Sequence, residues 1–375
     1  MRTNVVLAAG GTAGHVNPML ATARALSELD PEISVTAVGT QTGLEARLVP
    51  QAGVDLAFIE RVPLPRAVNR AAFAFPHRFR MAVAQSEKIL ERTQAQVVIG
   101  FGGYVSTPVY IAAHRRHIPV VVHEGNARPG LANKLAARFA AAVALTFSNT
   151  RLAARRGRTD TIGLPMRDAI VQLAQAQGGR RSLAAAAGKQ LGIDPEQPVL
   201  FVTGGSQGAQ HINEVVSACA EQLRDEGIQV LHLTGAGKDE PVRAAVERVG
   251  GTYVVLEYLE QIELAYALAD VVITRAGAGM VAEVSALGIP AVFVPFPIGN
   301  GEQALNAHDV VEAGGALLVK NENFTEEWIM AHVFPLFRGE RLEHMSGAAQ
   351  SVSALDAAQR LARIAMDVAQ KGDAQ

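Results

Sequence analysis

Two glycine-rich turns are the segments of the chain best suited to chemistry, and each directly follows a short apolar run. Residues 10–15 read GGTAGH, and residues 204–209 read GGSQGA. Glycine lacks a Cβ, so backbone amides can approach an anion closely, and the helix that follows adds unpaired N–H groups and the positive end of its dipole. Glycines also serve ordinary tight turns, but their recurrence in both halves of the chain favours two anion sites.

His15 ends the first turn. A histidine there can take a proton from a hydroxyl nucleophile near neutral pH. The alternative is a histidine at a helix start that only bonds to the backbone. Two more polar or glycine-rich segments follow apolar runs in the same half, namely 101–106 (FGGYVS) and 123–126 (HEGN). Together they predict one pocket in the N-terminal half.

A second set of polar residues follows apolar runs in the C-terminal half. Glu283 is predicted in the first turns of a helix after the segment 275–279 (RAGAG). Its carboxylate can accept two hydrogen bonds from a ribose diol, or it can simply complement the helix dipole. Residues 295–303 (PFPIGNGEQ) offer carbonyl and amide groups for sugar hydroxyls.

Several nucleotide and metal sites are excluded by missing motifs. The first turn lacks G-x-G-x-x-G spacing, and no acid ends the following run at 36–40 or its counterpart at 231–235, so a dinucleotide site is disfavoured. There is no G-x-x-x-x-G-K-[S/T] and no D-x-D triplet, and no His/Asp/Glu cluster has metal-ligand spacing. We therefore predict neither a metal nor a cofactor.

The elements that carry these turns alternate between strands and helices throughout. The predicted strands lie near 4–9, 33–38, 56–59, 97–100, 119–122, 142–145, 199–203, 229–233, 252–255, 271–274, 291–294 and 316–319. This alternation predicts an α/β fold of two Rossmann-like, doubly wound parallel sheets facing a cleft. The predicted domains are 1–163 and 164–352, followed by a C-terminal helix at 353–375 that can pack on either half, including back onto the N-terminal domain.

Composition and charge limit the cellular setting. The chain has 375 residues, of which 49% are hydrophobic, and Cys219 is its only cysteine, which favours a reducing cytoplasm. No secretory signal or membrane-spanning run is apparent, so we expect a soluble or peripheral protein. The formal charge of −2 conceals +9 over residues 1–163 and −11 over the remainder. The basic half should favour an anionic partner.

One basic and apolar segment is a candidate membrane surface. It mixes cations with apolar side chains, a composition suited to an anionic lipid surface. A helix with its Phe face in the core and its Arg side chains in solvent is the alternative. The members are Arg66, Arg70, Phe73, Phe75, His77, Arg78, Phe79, Arg80 and Met81, to which Arg115 and Arg116 can add. No nucleic-acid motif accompanies the charge.

The combination of segments resembles the MurG family of glycosyltransferases (family 28). The resemblance covers nearly the whole chain, in residues 10–18, 100–106, 123–126, 204–210, 275–290 and 302–307. It implies the GT-B fold and an inverting transfer of N-acetylglucosamine from UDP-N-acetylglucosamine. The acceptor would be the C4 hydroxyl of the muramyl sugar of lipid I, and the product the β-1,4-linked lipid II of peptidoglycan synthesis.

Roles for individual residues follow from the resemblance. His15 would be the catalytic base. The expected donor contacts are Thr12, Gly14, Arg167, Ser206, Gln207, Leu259, Glu283 and Gln303. The expected acceptor contacts are Gly11, Gly103, Tyr104, Glu124 and Asn126. The resemblance also implies peripheral attachment to anionic lipid at the cytoplasmic face of the cell membrane, and partners among cell-wall or division proteins.

The chain departs from the family pattern at three positions. Leu164 stands where the family often has Asn, Glu302 where it often has Gln, and Ala282 where it often has Ser. Two other functions remain open at this point. One is a UDP-N-acetylglucosamine 2-epimerase, which would need no lipid acceptor, and the other is a non-catalytic sensor of UDP-sugars.

Overall fold

The computed structural model of the chain describes residues 3–63, 70–205, 208–298 and 300–373. Two compact units are present. The first comprises Met1–Arg167 with Ala354–Gln375, and the second comprises Asp168–Ser353. Each unit is built on one parallel sheet, so the predicted fold class is confirmed.

Thirteen strands lie in the described residues, and all twelve predicted strands are among them. The strands are β1 Asn4–Ala8, β2 Ser34–Gly39, β3 Asp55–Phe58, β4 Val97–Gly100, β5 Val120–Glu124, β6 Ala142–Leu145, β7 Arg158–Thr161, β8 Val199–Thr203, β9 Gln229–Leu233, β10 Tyr253–Leu256, β11 Val271–Thr274, β12 Ala291–Phe293 and β13 Ala316–Leu318.

Helices connect most of the strands. They are α1 Ala13–Leu29, α2 Glu45–Gln51, α3 Arg70–Arg92, α4 Gly103–Arg115, α5 Leu131–Ala136, α6 Asp168–Gln175, α7 Ala184–Leu191, α8 Gln210–Ala218, α9 Ala220–Asp225, α10 Asp239–Val246, α11 Ile262–Leu268, α12 Ala278–Ala286, α13 Glu302–Asn306, α14 His308–Glu312, α15 Glu326–His332, α16 Arg341–Ser351 and α17 Ala357–Asp373. Short 3₁₀ helices occupy Gly179–Leu183, Asn321–Asn323 and Phe334–Phe337. Within the described ranges, no helix has both the length and the apolar character that a membrane span requires.

The sheet of the first unit has the strand order β3-β2-β1-β4-β5-β6-β7. Its central strands are apolar at nearly every position because helices cover both faces. Leu7 and Val97 belong to a core cluster that includes residues of α1 and α17. Val6 and Val98 belong to a second cluster, which includes residues of α3, α4 and α5.

Strand β7 is not predicted from the sequence. Its residues read RTDT, and most of them are exposed at the edge of the sheet. An edge strand that buries little needs no apolar pattern, so the periodicity that identifies the other strands is missing. The pairing of β7 with β6 is visible only in the structure.

The final helix completes the first unit rather than the second. Helix α17 packs along α1, and Arg158 forms a salt bridge of 3.2 Å with Asp367. Buried Leu361 and Ala365 belong to the same core cluster as Leu7. The second unit thus begins with α6 and ends at Ser353.

The second unit has the strand order β10-β9-β8-β11-β12-β13. In both sheets the order reverses direction beside the first strand of the unit, between β1 and β4 and between β8 and β11. Ligands of open parallel sheets bind at such switch points, beyond the carboxyl ends of the strands. Both predicted glycine turns lie at these positions.

Candidate functional site

The switch point of the first unit brings two glycine turns into contact. Because β1 and β4 are neighbours, the turn after β1 meets the turn after β4. A Cβ built on Gly103 would lie 2.6 Å from the Gly10 carbonyl oxygen, and Gly103 has φ +81°. Gly11 and Gly102 also have positive φ, +96° and +90°. Only glycine fits this backbone approach without strain.

His15 lies in the first turn of α1, between these two turns. Its Nδ1 is 3.3 Å from Oγ1 of Thr12, and its Nε2 would be 3.5 Å from a Cβ at Gly102. Desolvation lowers the pKa of His15, although a backbone hydrogen bond with Gly10 partly raises it. The imidazole is therefore neutral near pH 7, the state in which it can accept a proton.

A pocket of about 510 Å³ opens beside His15. It is lined by the loop residues 10–12, 42–44 and 103–104, together with His15, Arg47 and Arg61. Five predicted residues thus share this pocket: Gly11, Thr12, His15, Gly103 and Tyr104. Arg47 and Arg61 were not among the predicted site residues.

A buried carboxylate braces the first glycine turn. Glu45 is fully buried. Its Oε1 accepts hydrogen bonds from the amide and hydroxyl of Thr40, both at 2.9 Å, and its Oε2 accepts one from the Gly11 amide at 3.4 Å. The end of β2 carries no acid in sequence, yet this acid folds back to it from α2. No motif in the sequence marks Glu45 as part of this site.

Glu124 is buried at the carboxyl end of β5 and organises the loop that follows. It accepts hydrogen bonds from the amides of Asn126 and Gly130, each at 3.0 Å, and from Nδ2 of Asn133 at 2.9 Å. The Tyr110 hydroxyl donates to Oδ1 of Asn133. Glu124 and Asn126 do not line the 510 Å³ pocket. Asn133 links the two places, because its Nδ2 would lie 3.3 Å from a Cβ at Gly102.

The buried His123 lies beneath this region. Its Nε2 is 3.3 Å from the Gly163 carbonyl oxygen and 3.4 Å from the Thr146 hydroxyl. Burial lowers the pKa of His123 to about 4, with a smaller lowering from His15. This histidine is a neutral structural group at physiological pH.

The switch point of the second unit carries the second glycine turn. A Cβ at Gly204 would lie 2.1 Å from the Ala209 amide nitrogen, and one at Gly208 would lie 2.0 Å from the Thr234 carbonyl oxygen. The two described ends of the turn, Gly204 and Gly208, are therefore held by close backbone packing before α8. Ser206 and Gln207, predicted donor contacts, lie outside the described residues.

Glu283 lies on α12, where the Tyr266 hydroxyl donates a hydrogen bond to its Oε2 at 2.8 Å. Gly277 and Gly279, at the start of the same helix, face open space. Nearby, Oε1 of Gln303 accepts from the Phe296 amide at 2.8 Å, and Asn306 donates to the Ala276 carbonyl oxygen at 3.2 Å.

For two further predicted donor residues, the structure gives only their position relative to the helices and strands. Leu259 lies in the loop between β10 and α11, and Arg167 directly precedes α6. Arg275 is engaged in supporting its own unit: it donates to the Val294 carbonyl oxygen at 2.9 Å and to Oδ1 of Asn321 at 2.8 Å. In the described part of the chain, no group of three or more His, Cys, Asp or Glu side chains has the arrangement of a metal site.

The basic and apolar segment lies largely on α3. Phe73 is 80% exposed and Met81 is 45% exposed, whereas Phe79 packs partly against the core. Arg78 pairs with Glu60, Arg115 with Glu87 and Arg116 with Glu91, so these cations are ion-paired. Arg66 lies outside the described residues.

Comparison with known families covers both units. The model of the glycosyltransferase family 28 N-terminal domain matches residues 5–145, and that of the C-terminal domain matches residues 199–361. A protein of Bifidobacterium adolescentis named UDP-N-acetylglucosamine–N-acetylmuramyl-(pentapeptide) pyrophosphoryl-undecaprenol N-acetylglucosamine transferase is 47% identical, over 96% of each chain. A protein of the same name from Nocardioides sp. is 48% identical, over 97% of this chain and 98% of that protein.

Solved structures show the same architecture. The crystal structure of MurG from Acinetobacter baumannii superposes with a TM-score of 0.78 at 28% identity, over 97% of this chain and 99% of that one. A UDP-GlcNAc 2-epimerase from Neisseria meningitidis superposes with a TM-score of 0.70 at 13% identity, over 99% and 100% of the two chains. At that identity the likeness concerns the fold alone.

Proposed function

The chain belongs to glycosyltransferase family 28, and we propose that it transfers N-acetylglucosamine from UDP-N-acetylglucosamine to the C4 hydroxyl of the muramyl sugar of lipid I. Two relatives, at 47% and 48% identity over nearly the whole length of both chains, bear the name of this transferase. The product would be lipid II, with a β-1,4 bond. The observation that carries the proposal is a neutral histidine at the switch point between two glycine turns.

The second unit would bind the donor. The Glu283 carboxylate can accept hydrogen bonds from the ribose hydroxyls while Tyr266 fixes its orientation. Gly277 and Gly279 leave room for a ligand at the start of α12. The glycine turn at the N-terminus of α8 would hold the diphosphate, with Ser206 and Gln207 as the polar contacts. Leu259 would contact uracil, and Gln303 the sugar.

The first unit would bind the acceptor and supply the base. As the C4 hydroxyl attacks the anomeric carbon of the donor, its proton passes to the His15 imidazole, and UDP leaves from the opposite side with inversion. Gly11, Gly103 and Tyr104 would contact the acceptor, as would Glu124 and Asn126. The amides at the second turn and the α8 dipole would stabilise the charge on UDP, so the proposed reaction needs no metal.

The proposed acceptor carries a lipid tail, which would bring this unit to a membrane surface. Exposed Phe73 and Met81 on α3 provide apolar contact, and the +9 charge of residues 1–163 favours anionic lipid. We place the protein peripherally, at the cytoplasmic face of the cell membrane.

The test is UDP release from UDP-N-acetylglucosamine, measured with and without a short-chain lipid-linked muramyl-pentapeptide acceptor in the presence of EDTA. The proposal predicts release that depends on the acceptor and persists in the chelator. Release without acceptor would instead favour a hydrolase or a hydrolysing 2-epimerase, and loss of release in EDTA would reject the metal-free mechanism.

A further inference from the structure

The 510 Å³ pocket beside His15 contains two cations that the proposed mechanism does not use. Arg47 projects from α2, and Arg61 follows β3. Within the described ranges neither guanidinium has a salt-bridge partner, and no Asp or Glu lines the pocket. A concave site lined by unpaired arginines and a glycine turn concentrates positive potential.

Arg61 is held in place from two sides. Its guanidinium carbon lies 5.5 Å from the centroid of the Tyr104 ring. Its carbonyl oxygen accepts a hydrogen bond from Nη2 of Arg78 at 2.8 Å. Arg78 also bonds to Glu60 at 2.6 Å, so the neighbouring acid is already neutralised. The ring contact therefore orients the Arg61 guanidinium, while the hydrogen bond from Arg78 fixes the backbone that carries it.

The first glycine turn needs these cations if it is to hold an anion. The Gly11 amide donates to the buried Glu45 carboxylate at 3.4 Å, so this acid lies in contact with the turn. Fewer amides are then available to a ligand, and the carboxylate repels an anion above it. The α1 dipole supplies only about half an elementary charge. Adding two guanidinium groups to the Glu45 carboxylate and the α1 dipole makes the net charge around the pocket positive.

We infer that Arg47 and Arg61 form a two-cation clamp for a diphosphate group, and that during transfer this group is the diphosphate of the acceptor. The inference rests on the proposed function for the identity of the acceptor, but not for the anion site itself. Guanidinium groups suit phosphate oxygens because their planar donors match them in pairs. The two cations would leave the sugar of the acceptor beside His15.

The experiment uses the full-length variants Arg47→Gln, Arg61→Gln and the double substitution. Arg92→Gln is the matched control, because Arg92 is an exposed arginine at the end of α3, outside the pocket. Steady-state transfer to a short-chain acceptor gives the KM of each substrate. We expect each single variant to raise the acceptor KM by roughly 3- to 10-fold, with the donor KM and kcat nearly unchanged. The double variant should raise it further, and the control should not.

Two binding measurements separate the possible sources of the anion. Calorimetry with inorganic pyrophosphate should show weaker binding to the double variant than to the Arg92→Gln protein. Sedimentation with phosphatidylglycerol vesicles should show equal binding of both. Reduced vesicle binding with unchanged pyrophosphate affinity would overturn the clamp and assign the arginines to lipid headgroups. A raised donor KM would assign the clamp to the UDP diphosphate instead.

The clamp and the proposed function can fail separately. Transfer by the wild-type protein, with an unchanged acceptor KM in the double variant, would reject the clamp alone. Absence of transfer, with pyrophosphate binding that depends on the two arginines, would reject the proposed function and retain the anion site. Arg61→Lys distinguishes charge from shape, because it keeps the charge but loses the planar group above Tyr104, and we expect it to recover only part of the acceptor affinity.

Discussion

The Tyr266 hydroxyl donates a 2.8 Å hydrogen bond to Oε2 of Glu283, across two helices of the second unit. Tyr266 is fully buried, so its ring position is fixed by the core, and Glu283 is only half-buried. The hydrogen bond from a fixed hydroxyl restricts the orientation of the Glu283 carboxylate. The proposed contact with the ribose hydroxyls requires a carboxylate fixed in this way.

Removing either partner should weaken donor binding. We expect Glu283→Ala to raise the KM for UDP-N-acetylglucosamine by about 10- to 100-fold, because charge-assisted hydrogen bonds are lost. Tyr266→Phe should raise it by less, about 3- to 10-fold, since the carboxylate remains but loses its orientation. Glu196→Ala, at an exposed acid of the same unit, is the control. Unchanged donor affinity in Glu283→Ala would remove Glu283 from the donor site.

Replacing His15 should affect the chemical step more than substrate binding. We expect His15→Ala to lower kcat by about 10²- to 10⁴-fold, the usual contribution of a general base. The affinity for UDP, measured by calorimetry, should stay within a factor of about two of the wild-type value, since no phosphate contact is lost. Turnover equal to the wild type would show that another group accepts the proton.

The pH dependence of transfer provides an independent test of the same residue. Burial lowers the pKa of His15, so the neutral form persists below the ordinary histidine value of about 6.5. We therefore expect kcat/KM for the acceptor to stay level as the pH falls to 6.5 and to decline only below it. A decline centred above pH 6.5 would contradict the assignment.

Glu45 should contribute to both stability and geometry. In Glu45→Ala, the buried amide and hydroxyl of Thr40 lose their acceptor. We expect the free energy of unfolding to fall by about 2–4 kcal/mol, because buried groups left unsatisfied are costly. Denaturant unfolding measures this change. Glu28→Gln, at an exposed helix salt bridge, should change it by less than about 0.5 kcal/mol. A similar change in both variants would show that the bracing contacts contribute little.

The buried His232 should make the protein sensitive to acid. Its Nε2 lies 3.1 Å from Oδ1 of Asn213, which can only accept, and its Nδ1 lies 2.8 Å from the Tyr253 hydroxyl, so a neutral ring satisfies both partners. Burial lowers the pKa of His232 to about 3. Between about pH 6.5 and pH 3 the unfolded chain binds a proton that the folded protein does not, so stability is lost as the pH falls.

The size of this effect can be measured with one substitution. We expect the free energy of unfolding to fall by on the order of several kcal/mol across that pH window for the two buried histidines together, since His123 behaves in the same way. His232→Gln should flatten the pH dependence relative to the wild type. An equally steep loss of stability in that variant would assign the acid sensitivity to other groups.

The regular elements were predictable because their signals are local. Apolar runs such as 97–100 and 199–203 are flanked by glycine, and each became a central strand. The strand β7 was not predictable, because its RTDT sequence carries no burial pattern. The predicted strand boundaries differ from the observed ones by one or two residues, as at β2 and β10. The end of a strand depends on its pairing with the adjacent strand, which the sequence does not show.

The site was predictable only in part, for a similar reason. His15 and the glycine turns can be identified from their spacing in the sequence. Glu45 and Tyr266 do not, because their roles depend on contacts between elements that lie 34 and 17 positions apart along the chain. No motif distinguishes Arg47 or Arg61 from other basic residues of the chain, and only the fold shows that both line the pocket at the first glycine turn. Tertiary contacts of this kind carry no periodic signal in a single sequence.

Formation of a glycosidic bond on a lipid-linked acceptor is best examined by identifying the product. The purified protein would be incubated with UDP-N-acetylglucosamine and a short-chain muramyl-pentapeptide diphosphate lipid, and the product examined by mass spectrometry and proton NMR. We expect an acceptor that has gained one N-acetylglucosamine, β-linked to C4 of the muramyl sugar. An unchanged acceptor, with the donor converted to UDP and free N-acetylmannosamine, would contradict the proposed function.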